Sequence, residues 1–393
     1  MRECFRCHTK RPAMANVIPT VDGIPVVKLS SAQQQQDQQP PLANADVQVL
    51  ETARDAIGTA PSRWWLRTSA AWWRSLQYVG MTMHFLAPQR PPSPGFTKTM
   101  HSTISKTKGE FTLQFYTPKG YDTAAKTGTK FPAVVNFHGG GFTIGNGTDD
   151  ARFARFVIED CNAVFVSVDY RLSPEYPFPV AVEDAADALL YLIRSGPDHH
   201  IDPLKLATSG FSAGANLAIT STLRLTDHLT TLRQQPNPTT TIPPHRIRAI
   251  ATWYPITDYT QPRAAKRAAS IRPDQTLPET LTTLFDASYL QPPTLPLANP
   301  YLSPTRATDA QLAAAIPDTV IFYTCEYDML MREGEALAAR LGRPPLGREV
   351  KYKMVRGVPH AWDKAPDPTK AAPWSEELYR ECCGYLREVF ERA

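Results

Sequence analysis

The sequence lacks the features that would mark a membrane-spanning, secreted or nucleic-acid-binding protein. The longest mostly apolar segment, at about residues 62–85, is interrupted by Arg63, Arg67 and Arg74, so its uncharged stretches are too short to cross a bilayer. Met1–Pro12 is basic and lacks the apolar core of a secretory signal. The net charge is only +4, and no block of Lys or Arg stands out. We therefore expect no transmembrane segment and no nucleic-acid partner.

Cysteine is also scarce. Six cysteines in 393 residues do not make a disulfide framework. Cys161 and Cys325 lie beside or within apolar strands, where a reduced buried thiol is expected. Cys382 and Cys383 are neighbours on a predicted helix and cannot easily bridge each other. This pattern favours a reducing, cytoplasmic setting.

Residues 1–44 are expected to form a largely disordered N-terminal tail. Gln33–Pro41 is a polar segment of low complexity, and Ile18–Leu29 offers at most a weak hairpin. Cys4, Cys7 and His8 match the spacing of a haem-attachment motif. Because this single match has no haem pocket evident beside it, we interpret it as coincidence.

The remaining chain has the composition of a globular protein, with 42% hydrophobic and 20% charged residues. Its 37 prolines indicate long irregular connections, and residues 226–245 are interpreted as a loop rich in Thr and Pro. Strands are predicted at Thr97–Lys106, Glu110–Thr117, Phe131–Phe137, Ala163–Val168, Leu204–Thr208, Ile247–Tyr254, Thr319–Thr324 and Glu349–Val355. Helices are predicted at Arg152–Asp160, Phe178–Arg194, Asn216–Leu225, Arg332–Leu341 and Ser375–Arg392. This alternation predicts an α/β fold with a mostly parallel sheet covered on both faces, whose active groups lie at the carboxyl ends of the strands.

The segment Lys205–Asn216 contains the sequence Gly-Phe-Ser-Ala-Gly between a predicted strand and a predicted helix. This is the context that a nucleophile elbow needs, because the serine sits on a strained turn flanked by small residues. Gly210, Gly214 and Ala215 provide those small residues. Ser212 is therefore the candidate nucleophile.

A second motif, His138-Gly139-Gly140-Gly141, follows the buried strand Phe131–Phe137. Backbone N–H groups in a glycine loop of this kind can converge on one point, as in an oxyanion hole. The alternative is a flexible turn without a function. The position of the loop after a buried strand and upstream of the serine elbow favours the oxyanion-hole interpretation.

A serine nucleophile needs a base, and the base needs an orienting carboxylate. His360 is the candidate base because it follows the last predicted strand, at the expected end of the sheet. Asp328 lies just past the end of the preceding strand and is the preferred carboxylate. Glu326 and Glu333 are the alternatives. The order Ser212, Asp328, His360 is that of α/β-hydrolases.

Residues 45–95 are expected to form an N-terminal helical cap segment, with helices at Asp46–Ile57 and Ser62–Phe85. In the second helix a stripe of large side chains recurs at steps of three and four residues. The stripe comprises Trp65, Ser69, Trp72, Leu76, Val79 and Met83. Three interpretations remain open: a lid over an apolar pocket, plain packing on the core, or contact with a membrane surface.

Taken together, five separated motifs resemble the hormone-sensitive-lipase-like branch of the α/β-hydrolases. They are His138-Gly139-Gly140-Gly141-Phe142, Asp169-Tyr170-Arg171-Leu172-Ser173-Pro174-Glu175, Gly210-Phe211-Ser212-Ala213-Gly214, Asp328 with Pro359-His360-Ala361, and Asn299-Pro300-Tyr301-Leu302-Ser303-Pro304. The resemblance covers about residues 45–392. It implies an eight-stranded α/β-hydrolase domain over residues 96–393, with a second cap segment at about 257–305.

The resemblance also implies carboxylester hydrolysis without a metal or organic cofactor. By the family pattern, the backbone N–H groups of Gly140, Gly141 and Ala213 would hold the oxyanion. The chain departs from the pattern at Phe211, where the family usually has an acidic residue, and at Ala215, where it often has glycine.

We expect the substrate pocket to be lined by Phe142, Phe211, Trp65 and Trp72, and to admit a small or medium, apolar or aromatic ester. Hydrolysis of a lactone or amide, or intramolecular acyl transfer, is the alternative, since an acyl-enzyme permits all of them. A non-catalytic ligand receptor on the same fold is a further alternative, against which the retention of His360 argues. The oligomeric state stays open.

Overall fold

The computed structural model describes residues 49–59, 61–86, 90–234, 241–364 and 372–392. The expectations for the N-terminal tail, including the Cys4 and Cys7 motif, lie outside the described residues.

The core of the fold is an eight-stranded sheet with the order β1-β2-β4-β3-β5-β6-β7-β8. The strands are β1 (Phe96–His101), β2 (Glu110–Tyr116), β3 (Phe131–Phe137), β4 (Val164–Asp169), β5 (Ile201–Phe211), β6 (Ile247–Trp253), β7 (Thr319–Cys325) and β8 (Glu349–Val355). β2 is antiparallel to both its neighbours, and the pairs from β4 to β8 are parallel. The predicted α/β-hydrolase fold, with a mostly parallel eight-stranded sheet, is confirmed.

Helices cover both faces of this sheet. The helices are α1 (Ala53–Ile57), α2 (Arg63–Thr82), α3 (Ala124–Thr127), α4 (Ala151–Asp160), α5 (Val180–Ser195), α6 (Ala213–Arg233), α7 (Arg263–Ala268), α8 (Glu279–Tyr289), α9 (Asp309–Ala315), α10 (Met331–Gly342) and α11 (Ser375–Glu391). Short 3-10 turns occur at Met83–Leu86, Tyr121–Thr123, Gly196–His199, Pro273–Gln275, Pro304–Arg306 and Trp362–Lys364. Within the described ranges, no helix is both long and apolar enough to cross a membrane.

Alternate residues of the central strands pack into two separate hydrophobic cores, one on each face of the sheet. Val134 of β3 packs with the aromatic residues of α4 and α11, whereas Val135 packs with the aliphatic side chains of α5 and α6. Side chains of a strand point alternately to its two faces, so a strand buried on both faces must be apolar at consecutive positions. β7 is buried along its whole length.

The strand and helix boundaries differ from the predictions around the serine elbow. β5 runs on to Phe211, directly before Ser212, and α6 continues to Arg233, into the segment predicted as a loop. Thr230 and Thr231 donate their hydroxyls to helix carbonyls four residues earlier, at 2.8 and 2.9 Å, so these threonines are compatible with a helix.

The N-terminal segment and the predicted second cap segment contact each other directly. Ala53 N donates to Leu295 O at 2.9 Å, and Leu66 of α2 packs against Leu284 and Ala287 of α8. The division of these segments into a cap remains our prediction, but their mutual packing is observed.

The face of α2 that packs inward is not the predicted aromatic stripe. The buried residues of α2 are Leu66 and Ala70, one position away from Trp65 and two from Trp72. One residue along an α-helix rotates the side chain by about 100°. The small Ala70 side chain permits close helix packing. Trp64, Trp65 and Trp72 are left toward solvent, whereas Trp73 is partly buried against the cluster around Leu66.

Candidate active site

Ser212 lies at the sharp turn between β5 and α6. Its φ and ψ are 55° and −115°, a strained conformation for a residue with a Cβ. The turn brings backbones so close that a Cβ on Gly214 would lie 1.9 Å from Phe137 O, and one on Gly210 would lie 2.1 Å from Gly214 O. Only glycine fits at these two positions, which explains the sequence pattern around Ser212.

Three side chains from three separate strand ends form a continuous hydrogen-bonding chain. His360 Nε2 is 2.8 Å from Ser212 Oγ, and His360 Nδ1 is 2.6 Å from Asp328 Oδ2. Asp328 follows β7, and His360 follows β8. Leu330 N donates to Asp328 Oδ1 at 2.9 Å, so the second carboxylate oxygen is also held. The structure therefore brings together the three residues that we selected from the sequence.

The two alternative carboxylates have other partners. Glu326 accepts a hydrogen bond at 2.7 Å from Gly357 N in the loop that leads to His360. Glu333 is buried and forms an ion pair with Lys266. Burial raises the pKa of Glu333 above its usual value, although Lys266 opposes the shift. Asp328 is thus the carboxylate that contacts the His360 ring.

The glycine loop lies against the nucleophile. A Cβ on Gly139 would come within 3.5 Å of Ser212 Cβ. Gly140 and Gly141 have φ values of 107° and 59°, which glycine adopts without strain. Ala213 is the first residue of α6, so its N–H has no acceptor within the helix. These are the residues that we predicted to form the oxyanion hole.

The His138 side chain packs against the glycine loop and hydrogen-bonds to it. Its ring is fully buried and stacks on Tyr170 with ring centres 4.3 Å apart. His138 Nδ1 lies 2.8 Å from Gly139 O, and the Tyr170 hydroxyl donates to His138 O at 2.8 Å. The side chain of His138 therefore stabilises the loop conformation.

Two of the predicted pocket residues belong to the protein core. Phe142 is 1% exposed and stacks on Tyr289 with ring centres 3.8 Å apart. Phe211 is fully buried and stacks on Trp253 at 5.5 Å, and Lys364 Nζ lies 3.6 Å from its ring centre. The prediction that Phe142 and Phe211 line the pocket is wrong. Phe211 is the last residue of β5, and its side chain packs in the core with Phe153 and Tyr379 as well as Trp253.

The two predicted pocket tryptophans lie on the outside of α2. Trp65 is 43% exposed and Trp72 is 68% exposed. Neither ring is buried, because the buried face of α2 is rotated by one residue from the predicted stripe, and the pocket role of Trp65 and Trp72 stays a prediction.

No sequence pattern marks Phe285 of α8 as a site residue. A Cβ on Gly141 would come within 2.2 Å of the Phe285 ring, so the ring is in direct contact with the glycine loop. Tyr254 also escaped the sequence reasoning. Its ring centre is 4.7 Å from that of His360, and its hydroxyl donates to Asp363 at 2.7 Å. These aromatic rings border the reacting groups.

Arg74 connects α2 to the residues that follow the glycine loop. Its guanidinium donates to Thr143 O, Ser173 O and Glu175 Oε2, each at 2.8 Å. Ser173 N in turn donates to Phe142 O at 2.8 Å. The only sequence signal for this role is an arginine among apolar residues. A cavity of about 440 Å³ lies beside it, lined by Arg74, Ser75, Gln77, Tyr78, Val79, Gly145 and Asn146.

Asp149 provides a second link to α2. Its Oδ2 accepts a hydrogen bond from Gln77 Nε2 at 2.7 Å, and Asn146 donates to both carboxylate oxygens. Burial raises the pKa of Asp149 to about 6, opposed by His138 and assisted by Asp150. This carboxylate is held near the glycine loop in a partly desolvated setting.

The proteins that are similar to this chain include esterases. A family model described as alpha/beta hydrolase fold matches residues 134–364. The chain is 30% identical over 237 residues to an arylesterase of Saccharolobus solfataricus, covering 59% of this chain and 69% of that protein. It is 29% identical over 248 residues to the carboxylic ester hydrolase LipN of Mycobacterium tuberculosis, covering 62% and 59% of the two chains. It is also 29% identical over 231 residues to an AB hydrolase superfamily protein of Schizosaccharomyces pombe, covering 58% and 63%. The matched regions thus span about three fifths to two thirds of these relatives.

Solved structures agree on the fold. A hyperthermophilic esterase from Pyrobaculum calidifontis superposes with a TM-score of 0.64 at 25% identity, over 82% of this chain and 91% of that one. An ester hydrolase from the metagenome of Lake Arreo superposes with a TM-score of 0.66 at 24% identity, over 85% and 94%. The chain belongs to the α/β-hydrolase fold family, in the branch of hormone-sensitive-lipase-like carboxylesterases.

Proposed function

We propose that the protein is a serine carboxylester hydrolase that acts through an acyl-enzyme on a small or medium, apolar or aromatic ester. The observation that carries this proposal is the continuous contact from Ser212 Oγ through the His360 ring to Asp328, at 2.8 and 2.6 Å. The esterase names of the relatives support the reaction class.

In the first half-reaction, His360 Nε2 takes the hydroxyl proton as Ser212 Oγ attacks the ester carbonyl. Asp328 accepts the Nδ1–H, which fixes the tautomer in which Nε2 can act as a base. The imidazolium then gives its proton to the departing alkoxide, and the alcohol leaves. Water, deprotonated by His360, attacks the acyl-enzyme, and the imidazolium returns the proton to Ser212 Oγ as the bond from Oγ to the acyl carbon breaks and the carboxylic acid leaves.

The negative charge that develops on the carbonyl oxygen would be held by the N–H groups of Gly140, Gly141 and Ala213. Each preorganised donor of this kind is typically worth about 3–4 kcal/mol of transition-state stabilisation. The two positive-φ glycines and the free first N–H of α6 support this assignment. His138 and Arg74 would keep the loop in place during the reaction.

We assign the selectivity for short or medium acyl groups to Phe285 rather than to the predicted tryptophans. The ring contacts Gly141, so it limits the space next to the carbonyl carbon. A bulky aromatic side chain also favours apolar substrate groups at that position.

A cytoplasmic location is part of the proposal. Cys161, Cys325, Cys382 and Cys383 are free and buried. Burial raises the pKa of the Cys325 and Cys382 thiols well above the usual value, which keeps them protonated and unreactive. Free thiols are typical of a reducing compartment.

A substrate panel tests the proposed reaction. The purified wild type is assayed against matched aryl esters, amides and lactones, together with Ser212→Ala and Ser221→Ala. Ser221 lies in α6 with a buried hydroxyl that has no partner among the described residues, so its loss should leave activity unchanged. We expect ester turnover in the wild type and Ser221→Ala, and none in Ser212→Ala. Turnover of lactones or amides but not esters would replace the proposed reaction, and binding without turnover would indicate a receptor.

A further inference from the structure

The outer face of α2 and the turn after it is unusually apolar. Among the described residues, large hydrophobic side chains that are exposed concentrate here: Trp64, Trp65, Trp72, Leu76, Tyr78, Val79, Met83 and Leu86. Trp64, Trp72 and Leu86 are 74%, 68% and 70% exposed. At 3.6 residues per turn these side chains occupy an arc of roughly 160°. We call this arc the outer face of α2.

Three Ser and Thr hydroxyls within the outer face donate hydrogen bonds to carbonyls of their own helix. Thr68 Oγ1 donates to Trp64 O at 3.1 Å, Ser75 Oγ to Ala71 O at 2.9 Å, and Thr82 Oγ1 to Val79 O at 2.6 Å. A hydroxyl that is bonded to its own helix needs no water, so it can leave water at little cost. The outer face can therefore enter an apolar environment without leaving these three hydroxyl donors without an acceptor.

The charged residues of α2 and of the turn after it are all basic, because residues 62–86 contain no Asp or Glu. Arg63 and Arg67 are exposed along one edge of the face, whereas Arg74 is bound to backbone carbonyls and to Glu175. A cationic edge beside a Trp-rich apolar surface complements an anionic lipid surface, in which tryptophan favours the interface and arginine the headgroups.

The opposite side of α2 is fixed to the rest of the protein. Leu66 packs on α8, and Gln77 and Arg74 are hydrogen-bonded to the region after the glycine loop. The helix cannot rotate its outer face inward without breaking these contacts. An apolar surface of this size needs an occupant from outside the described fold.

We propose that α2 is an interfacial helix that docks the protein on an anionic lipid surface. The outer face lies in the boundary between headgroups and acyl chains, and Arg63 and Arg67 contact the anionic headgroups. The helix would lie on the membrane rather than span it, and the active site would sit next to the lipid surface. This proposal does not depend on the proposed reaction.

Vesicle flotation of the full chain tests the proposal. One set of vesicles is phosphatidylcholine alone, and the other contains equal amounts of phosphatidylcholine and phosphatidylserine. The first variant combines Trp64→Ser, Leu76→Ser and Leu86→Ser, and Trp374→Ser is its control because Trp374 is exposed in another part of the chain. The triple variant should bind at least about tenfold more weakly to both kinds of vesicle, since binding scales with buried apolar area. The Trp374→Ser control should bind like the wild type.

A second variant tests the charged edge. Arg63→Glu with Arg67→Glu should bind phosphatidylserine vesicles at least about tenfold more weakly, since each basic residue near such a surface is worth about 1 kcal/mol. Lys119→Glu is the control, because Lys119 is exposed elsewhere. High salt should remove the preference of the wild type for phosphatidylserine. Hydrolysis of a water-soluble ester should be unchanged in both variants, which shows that they are folded.

Three results would overturn the proposal. The first is a wild-type chain that binds neither kind of vesicle, as would follow if another segment of the chain covers the outer face. The second is vesicle binding that both variants retain. The third is a wild-type oligomer that the triple variant converts to monomers without any lipid binding, which would assign the face to a second copy of this chain.

Discussion

Arg74 makes the link between α2 and the glycine loop open to a quantitative test. Arg74→Met keeps the aliphatic stem and removes the guanidinium, and with it the bonds to Thr143 O, Ser173 O and Glu175. The side chains of the Arg74–Glu175 ion pair are about one third exposed, so solvent screening reduces the contribution of this pair to the free energy of unfolding to roughly 0.5 kcal/mol. The two carbonyl bonds come from a charged donor and contribute about 1.5 kcal/mol each. The free energy of unfolding should therefore fall by about 3.5 kcal/mol.

The effect on catalysis should be separate from the effect on stability. We call the three hydrogen bonds of Arg74 the Arg74 clamp. Thr143 lies two residues after Gly141, so loss of the clamp should loosen the proposed oxyanion hole. Complete loss of one donor typically lowers kcat by about 10²–10³-fold, which sets an upper limit. We expect kcat to fall by about 10–100-fold with little change in KM.

The assay measures kcat and KM with a short-chain aryl ester, at a temperature well below the unfolding midpoint of each variant. Arg67→Met is the matched control, because Arg67 is exposed on the same helix. It should retain wild-type kcat and stability. If Arg74→Met were folded and its kcat equalled that of the wild type, the clamp would have no role in positioning the loop.

The remaining predictions concern the carboxylate, the pocket and the pH dependence. Asp328→Asn should lower kcat by up to about 10⁴-fold, and Glu326→Gln should lower it far less, because only Asp328 contacts the imidazole. If steady-state assays gave the opposite order, Glu326 would be the carboxylate that orients His360. Phe285→Ala should shift the preferred acyl length of aryl esters upward, whereas Trp72→Ala should leave it unchanged. A shift in Trp72→Ala but not in Phe285→Ala would indicate that Trp72 lines the pocket. Because the pKa of Asp149 is about 6 in the folded protein against an ordinary 3.8, its ionisation lowers stability as pH rises from about 4 through 6. In urea unfolding at pH 4 and pH 7, Asp149→Asn should remove up to about 3 kcal/mol of this pH-dependent loss in the free energy of unfolding. If the free energy of unfolding changed equally with pH in the wild type and the variant, the raised pKa of Asp149 would be contradicted.

The parts of the site that the sequence predicted follow from local rules. Ser212 comes directly after β5, and Asp328 and His360 lie in the loops that follow β7 and β8. Parallel strands place their carboxyl ends at one edge of the sheet. The steric demands of the elbow and the glycine loop restrict a few neighbouring positions to glycine, and this leaves a visible pattern in the sequence.

The parts that escaped prediction depend on contacts between distant segments. Phe285 meets Gly141 across 144 residues, and Arg74 reaches Thr143 and Ser173 from another helix. No local pattern encodes such a contact. The packed face of α2 escaped prediction for a different reason, because helical spacing shows that a face is apolar but does not show which of two adjacent faces is packed.

The central claim is that Ser212 is the nucleophile, activated by His360. The most direct measurement is mass spectrometry of the wild-type protein after treatment with a serine-directed aryl phosphonate, followed by peptide mapping. We predict one adduct per chain, located at Ser212, with loss of ester turnover in proportion to labelling. The adduct should be absent from Ser212→Ala and formed much more slowly in His360→Ala. Labelling at another serine, or full turnover by a completely labelled protein, would contradict the account.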